Sequence, residues 1–249
     1  MTEEAAETWI VLGASSPIGR AFAREVARPG THVILAGRDV DDLARTASDI
    51  RIAGQASVEV SRFDATDLSA HGKQAAHWAE RPGTLNAILL FGTMPQQADI
   101  DADPALVLDC IASTYAGALS ILHHLATHLE ARKAGTVIGI GSVAGDRGRL
   151  KNYVYGSAKA GLHTYLAGLR NRLGRSNVHV MTVKLGFVDT GMTWGQPGLF
   201  LVASPEAVAR RCLVAARKRR DVCYIPAFWL PIMTIIRSIP ERIFKRLSI

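Results

Sequence analysis

At 249 residues, with 48% hydrophobic and 20% charged residues, the chain has the apolar content to bury a core. That excludes disordered, collagen-like and highly charged tail classes, and one large domain is the expectation at this length. Three scattered cysteines, Cys110, Cys212 and Cys223, form no C-x-x-C pair and no disulfide framework, which suits a reducing cytoplasm. The net charge of +7 is concentrated: ten basic and two acidic residues fall between 210 and 249, leaving −1 on the first 209. A near-neutral body with a basic end argues against nucleic-acid binding.

The first 14 residues are acidic where a secretory signal carries positive charge, and their apolar run is only a strand long, so no export signal is expected. Apolar runs at 8–13, 31–36, 57–62, 85–91, 134–141, 177–184 and 221–225 read as strands. Amphipathic stretches at 17–28, 40–53, 69–80, 103–132, 152–175 and 204–216, and again from about 228, read as helices. This alternation predicts an α/β single-domain doubly wound Rossmann fold, a seven-stranded mostly parallel sheet with helices on both faces. With no linker or repeat, 1–249 reads as one domain, and 225–249 as a basic, apolar C-terminal extension. Its apolar stretch, 225–236, is interrupted by Pro226 and Pro231 and is shorter than the roughly 20 residues of a spanning helix. Two placements remain open. The segment packs on the sheet or in a subunit contact, or it lies in a membrane interface with Arg237, Arg242, Lys245 and Arg246 toward lipid phosphates.

Glycines at a strand-to-helix turn let a pyrophosphate approach the backbone and the helix N-terminus. Gly13-Ala14-Ser15-Ser16-Pro17-Ile18-Gly19 occupies such a position after the first strand, although a tight turn without ligand explains two glycines as well. Arg38, after the second strand, suits the 2′-phosphate of NADP(H), with NAD(H) the alternative. The competing reading is a solvated Arg38 and an Asp39 that caps the next helix. Asp64 could accept from an adenine amino group or cap a helix.

The most informative constellation is Ser142, then Tyr155 and Lys159 in Tyr155-Gly156-Ser157-Ala158-Lys159. Positions four apart share a helix face, which places the Lys159 ammonium beside the Tyr155 phenol. A free phenol titrates near 10. Two adjacent positive charges, Lys159 and an oxidised nicotinamide, are expected to lower it by about three units, or roughly 4 kcal/mol. That makes Tyr155 a general acid for reducing a ketone, with Ser142 bonding the carbonyl oxygen. Tyr153 fails the same test, since Ser157 stands four residues on. His124 and His128 share a metal-ligand spacing without a third ligand, and no metal is predicted.

These residues resemble the classical short-chain dehydrogenase/reductases across essentially the whole chain. The resemblance implies that Tyr155 donates the proton, Ser142 orients the carbonyl and Lys159 holds the nicotinamide ribose. It also implies a cofactor cradle of Gly13, Ser15, Ser16, Ile18, Gly19, Arg38, Asp64, Ala65, Phe91, Gly92, Tyr155 and Lys159, with Gly186, Val188 and Thr190 toward the carboxamide and phosphates. A homodimer or homotetramer is implied as well. Three departures stand out: Pro17 replaces the middle glycine, Leu89-Leu90-Phe91-Gly92 lacks the family's asparagine, and Thr114 stands where the active-site asparagine is expected. The 152–161 run and the tail, Tyr224-Ile225-Pro226-Ala227 through Leu247, resemble reductases of a polyprenylphosphoryl (decaprenylphosphoryl) 2-keto-erythro-pentofuranose. That narrower likeness implies a keto-sugar or lipid-linked ketone substrate, cell-wall or polysaccharide biosynthesis, and a cytoplasmic enzyme at the inner membrane face. Arg147, Arg149 and Lys151 could face a substrate phosphate or be inert loop residues. The rival reading, prompted by the missing asparagines, is a non-catalytic dinucleotide-binding redox sensor or partner protein.

Overall fold

Apolar residues run almost without interruption along each central strand, and because successive side chains point to opposite faces, a sheet built from them is oily on both sides. In the computed structural model, Trp9 and Val11 of β1 (Glu7–Leu12) face one core and Ile10 and Leu12 the other. The residues described are 7–54, 56–191 and 202–247. Residues 1–6, 55, 192–201 and 248–249, which complete the span read as one domain, lie outside them. The other strands are β2 (Thr31–Gly37), β3 (Ser57–Arg62), β4 (Thr84–Leu89), β5 (Thr136–Ser142), β6 (His179–Leu185) and β7 (Val222–Ile225). They form one sheet in the order β3-β2-β1-β4-β5-β6-β7. Every pairing is parallel, not merely most of them, because each connection crosses through a helix.

Helices α1 (Pro17–Val26), α2 (Val40–Gly54) and α8 (Pro205–Arg217) cover one face. On the other face lie α3 (His71–Ala79), α6 (Gly117–Arg132) and α7 (Tyr153–Gly174). The stretch predicted as one helix over 103–132 divides into α5 (Ala105–Ile111), a π turn at 112–116 and α6, preceded by α4 (Gln97–Ala102). As a unit, 105–132 is long and apolar enough to span a membrane. Its buried Ala118, Ile121, Leu122, Leu125 and Leu129 nevertheless pack on the sheet, so it serves as a core helix.

After β7 the chain forms α9 (Trp229–Ser238) and α10 (Glu241–Phe244). Trp229 and Met233, four apart, are buried with Val143 beside Phe187 and Tyr224. The opposite face leaves Leu230 and Ile235 exposed. One side of the C-terminal segment is therefore packed on the body, as one of the two placements read from the sequence has it, and the other side is open.

Candidate active site

Parallel sheets place their ligands beyond the C-terminal ends of the strands. Here the residues following β1 through β6 surround a cavity of about 500 Å³. Its first wall is the turn into α1. Gly13 has φ +88°, and a Cβ there would stand 2.9 Å from the Phe91 amide nitrogen; a side chain is therefore excluded by strain and by contact with backbone. Ser16 caps α1, accepting from Gly19 N at 3.1 Å and donating to Gly13 O at 2.8 Å. Pro17, at the first helical position, has no N–H to satisfy. The Ile18 amide has no acceptor among the described residues. A glycine turn, a free amide and a helix N-terminus together fit a dinucleotide pyrophosphate.

Gly13, Ser15, Ser16, Ile18, Arg38, Asp64, Ala65, Phe91, Gly92, Gly186, Val188 and Thr190 all line the cavity, as do Ser142, Tyr155 and Lys159. Gly19 does not. It packs behind the turn, where a Cβ would meet Gly13 O at 2.6 Å. Arg38 is exposed at the rim with no hydrogen bond or ion pair among the described residues, while Asp39 accepts from Asp42 N at 2.9 Å at the start of α2. Asp64 accepts from the Thr66 amide at 2.9 Å and its hydroxyl at 2.7 Å. These bonds hold its carboxyl below the usual range; they close a turn after β3 on the cavity wall, and the N-cap of α3 is Ala70, not Asp64.

Ser142 closes β5 and Tyr155 lies in the first turn of α7, so the β5–α7 connection brings both onto the wall of one cavity, where Ser142 Oγ also accepts from Ala144 N at 3.1 Å. Lys159, one turn on, is buried; its Nζ donates to Ile140 O at 2.9 Å and lies 5.7 Å from the Tyr155 ring centroid. The expected depression of the phenol is not what the protein alone produces. Burial pushes Tyr155 above its ordinary value, with the Ser142 bond opposing, and the same burial pushes Lys159 down to about 8. Desolvation is the leading cause for both groups, and the ammonium is held on the Ile140 carbonyl. At neutral pH the pair is a protonated phenol beside an ammonium.

Thr114 also differs from expectation. It is fully buried in the π turn, accepts from Thr93 N at 3.0 Å and donates to Thr93 O at 3.2 Å. Its hydroxyl is thus spent on the turn after β4, and the neighbouring Ser113 reaches the cavity wall instead. Arg147 does not line the cavity. Its guanidinium donates to Ile236 O and Ile239 O, both at 2.6 Å, pairs with Glu241 at 2.9 Å and lies 3.7 Å over the Phe244 ring. Lys151 is exposed and off the cavity, whereas Arg149 lines it.

Sequence reading missed the charged group beneath Ser142. Asp146 accepts from Lys184 at 2.5 Å and Tyr224 at 2.6 Å. His163 Nδ1 lies 3.9 Å from Asp146, and Nε2 accepts from the Ser142 amide at 3.3 Å. Trp229 packs so closely on Gly186 that a Cβ there would lie 1.7 Å from Nε1, which ties the C-terminal segment to the cavity. The partners lie on four elements, and no local spacing announces them.

Known proteins give this geometry its context. The chain matches the short chain dehydrogenase family over residues 7–197. It is 35% identical over 248 residues to an uncharacterised oxidoreductase of Mycobacterium tuberculosis, covering 99% of each chain. It is 32% identical over 196 residues to the serine 3-dehydrogenase of Agrobacterium fabrum, covering 77% of this chain and 76% of that one. A solved short-chain dehydrogenase from Sphingobium yanoikuyae in complex with NADPH shares the fold, with a TM-score of 0.79 at 23% identity over 94% of this chain and 97% of that one. By its sequence match and its cavity alike, the chain belongs to the short chain dehydrogenase family.

Proposed function

We propose that this oxidoreductase reduces a ketone to a secondary alcohol, with NADPH preferred over NADH and a keto-sugar, free or polyprenylphosphoryl-linked, as the substrate class. The observation that carries the reading is the facing of two walls across one cavity. Ser142, Tyr155 and Lys159 stand opposite the glycine turn and the N-terminus of α1. When bound, the reduced nicotinamide supplies a hydride, two electrons and one proton, to the carbonyl carbon. Ser142 donates a hydrogen bond to the carbonyl oxygen and aligns it. Tyr155, kept protonated by burial, transfers its proton to that oxygen as negative charge develops there. The Lys159 ammonium stabilises the phenolate left behind, and its placement on Ile140 O leaves its remaining protons for a ribose hydroxyl. The free guanidinium of Arg38 supports the NADPH preference, since it matches a 2′-phosphate in geometry and charge.

The open side of the C-terminal segment supports delivery from a membrane. Leu230, Ile235, Ile243 and Leu247 are exposed apolar residues interleaved with Arg237, Arg242, Lys245 and Arg246, a composition suited to an anionic bilayer surface. The test is incubation with keto-sugars and NADPH deuterated at C4, with and without anionic vesicles. Deuterium in the alcohol carbon is expected, and turnover of a prenyl-linked substrate should rise with vesicles. Absence of label from every ketone, despite NADPH binding, would favour the non-catalytic reading.

A further inference from the structure

A turn in the β5–α7 connection, Asn152 N to Arg149 O at 3.2 Å, sets Arg149 and Asn152 together on the cavity wall that also carries Tyr155. Both bear buried polar atoms without a partner, Arg149 Nε and Asn152 Oδ1. Asn152 is the N-cap of α7, where an asparagine side chain ordinarily accepts from the second or third helical amide. It makes no such bond. Gln97 of α4 reaches across to accept from Val154 N at 3.2 Å instead, which frees the Asn152 amide. Rotation of that amide presents either its oxygen or its NH₂ to the cavity.

Arg149 spends one N–H on Val143 O at 2.8 Å and has no ion pair among the described residues. Asp146, the nearby acid, is taken by Lys184 and Tyr224. Burial accordingly pushes the guanidinium down, with Asp146 opposing from beyond contact. With the Lys159 ammonium on the same wall, this end of the cavity holds two cations and no free carboxylate among the described residues. A buried cation without a counterion is costly in the empty protein and is compensated when a ligand brings the anion.

We propose that Arg149 and Asn152 form a subsite for an oxyanion carried by the substrate, so that the ketone reduced here is an acidic one. The inference rests on the reductase reading, which places that ketone beside Tyr155, and the experiment separates the two. With NADPH saturating, so that Arg38 is occupied, inorganic phosphate and farnesyl phosphate are titrated by calorimetry into wild type, Arg149→Met and Arg149→Lys. Wild type should bind both, Arg149→Met at least tenfold more weakly, and Arg149→Lys should recover part of the loss, which a merely structural role would not give. Equal affinities in wild type and Arg149→Met, or no phosphate binding at all, would overturn the subsite. Tighter binding of farnesyl phosphate assigns the oxyanion to a lipid-linked ketone; tighter binding of phosphate assigns it to a free one.

In turnover, dihydroxyacetone phosphate is compared with dihydroxyacetone, and levulinate with its methyl ester. The acidic-to-neutral ratio of kcat/KM should fall about thirtyfold in Arg149→Met, mostly through KM, the size expected for a hydrogen bond to a charged group. Arg149-dependent phosphate binding without turnover of any ketone defeats the reductase reading and leaves the subsite standing. Turnover with an unchanged ratio does the reverse.

Discussion

The cavity has two ends, and they are made of different materials. The end formed by β1, β2 and α1 is backbone: a glycine turn, a helix N-terminus and a free amide, with a single cation, Arg38, at its rim. The end formed by β5, α7 and α9 is side chain: Ser142, Tyr155, Lys159, Arg149 and Asn152 in front, and Asp146, Lys184, His163 and Tyr224 behind them. A backbone cradle recognises what all dinucleotides share and tolerates little change in shape. A charged wall selects among substrates, and its groups are held in buried environments that shift their protonation.

If that contrast is right, the largest effect should come from shape at the first end. Gly13→Val forces a branched side chain to φ +88° and toward the Phe91 amide. NADPH affinity, read by fluorescence titration, is expected to fall at least about 100-fold, or the protein should fail to fold, given strain of about 1–3 kcal/mol before the contact is counted. Retained affinity would mean that the turn does not shape the cradle.

The second end should respond instead to pH. Burial, with the Lys184 ammonium adding to it, pushes His163 down to about 4 in the folded protein, against roughly 6.5 in an unfolded chain. Below about 6.5 the unfolded chain takes up a proton that the folded one refuses. Stability from this group is therefore complete above that pH and lost as pH falls toward 4, by about 3 kcal/mol. Asp146 and Lys159 face the ring as well. Urea unfolding at pH 7 and 4.5 should show a smaller acid loss in His163→Gln than in wild type; identical losses would remove His163 as the titrating group.

A smaller effect is expected at the join between the body and its C-terminal segment. Arg147→Ala removes two 2.6 Å bonds to the end of α9 and the stacking on Phe244. The Glu241 pair adds little, because that carboxylate is largely exposed. A loss of about 2 kcal/mol follows from the bonds and the stacking, with faster amide exchange confined to 229–247. Exchange unchanged there would show that the segment is held by Trp229 and Met233 alone.

The two ends also differed in how far the sequence disclosed them. The strand and helix periods, Gly13 through Ile18, and the Ser142, Tyr155 and Lys159 spacing are short-range patterns, and the residues they select do converge on one cavity. The places of Thr114 and Arg147 were not legible because their partners, the Thr93 backbone and the end of α9, lie 21 and about 90 residues away. The position of Asn152 before α7 does not show that Gln97, 57 residues before Val154, does the capping. The upward shift of Tyr155 in the protein alone was not legible for a related reason: spacing places a lysine near a phenol but says nothing of how dry the site is.

The central claim is that the Tyr155 hydroxyl supplies the proton when a ketone is reduced. Single-turnover mixing of Tyr155→Phe with NADPH and a ketone that wild type reduces measures this most directly. The account predicts NADPH bound with near-wild-type affinity and a reduction rate lowered by about a thousandfold; oxidation of NADPH at close to the wild-type rate would contradict it.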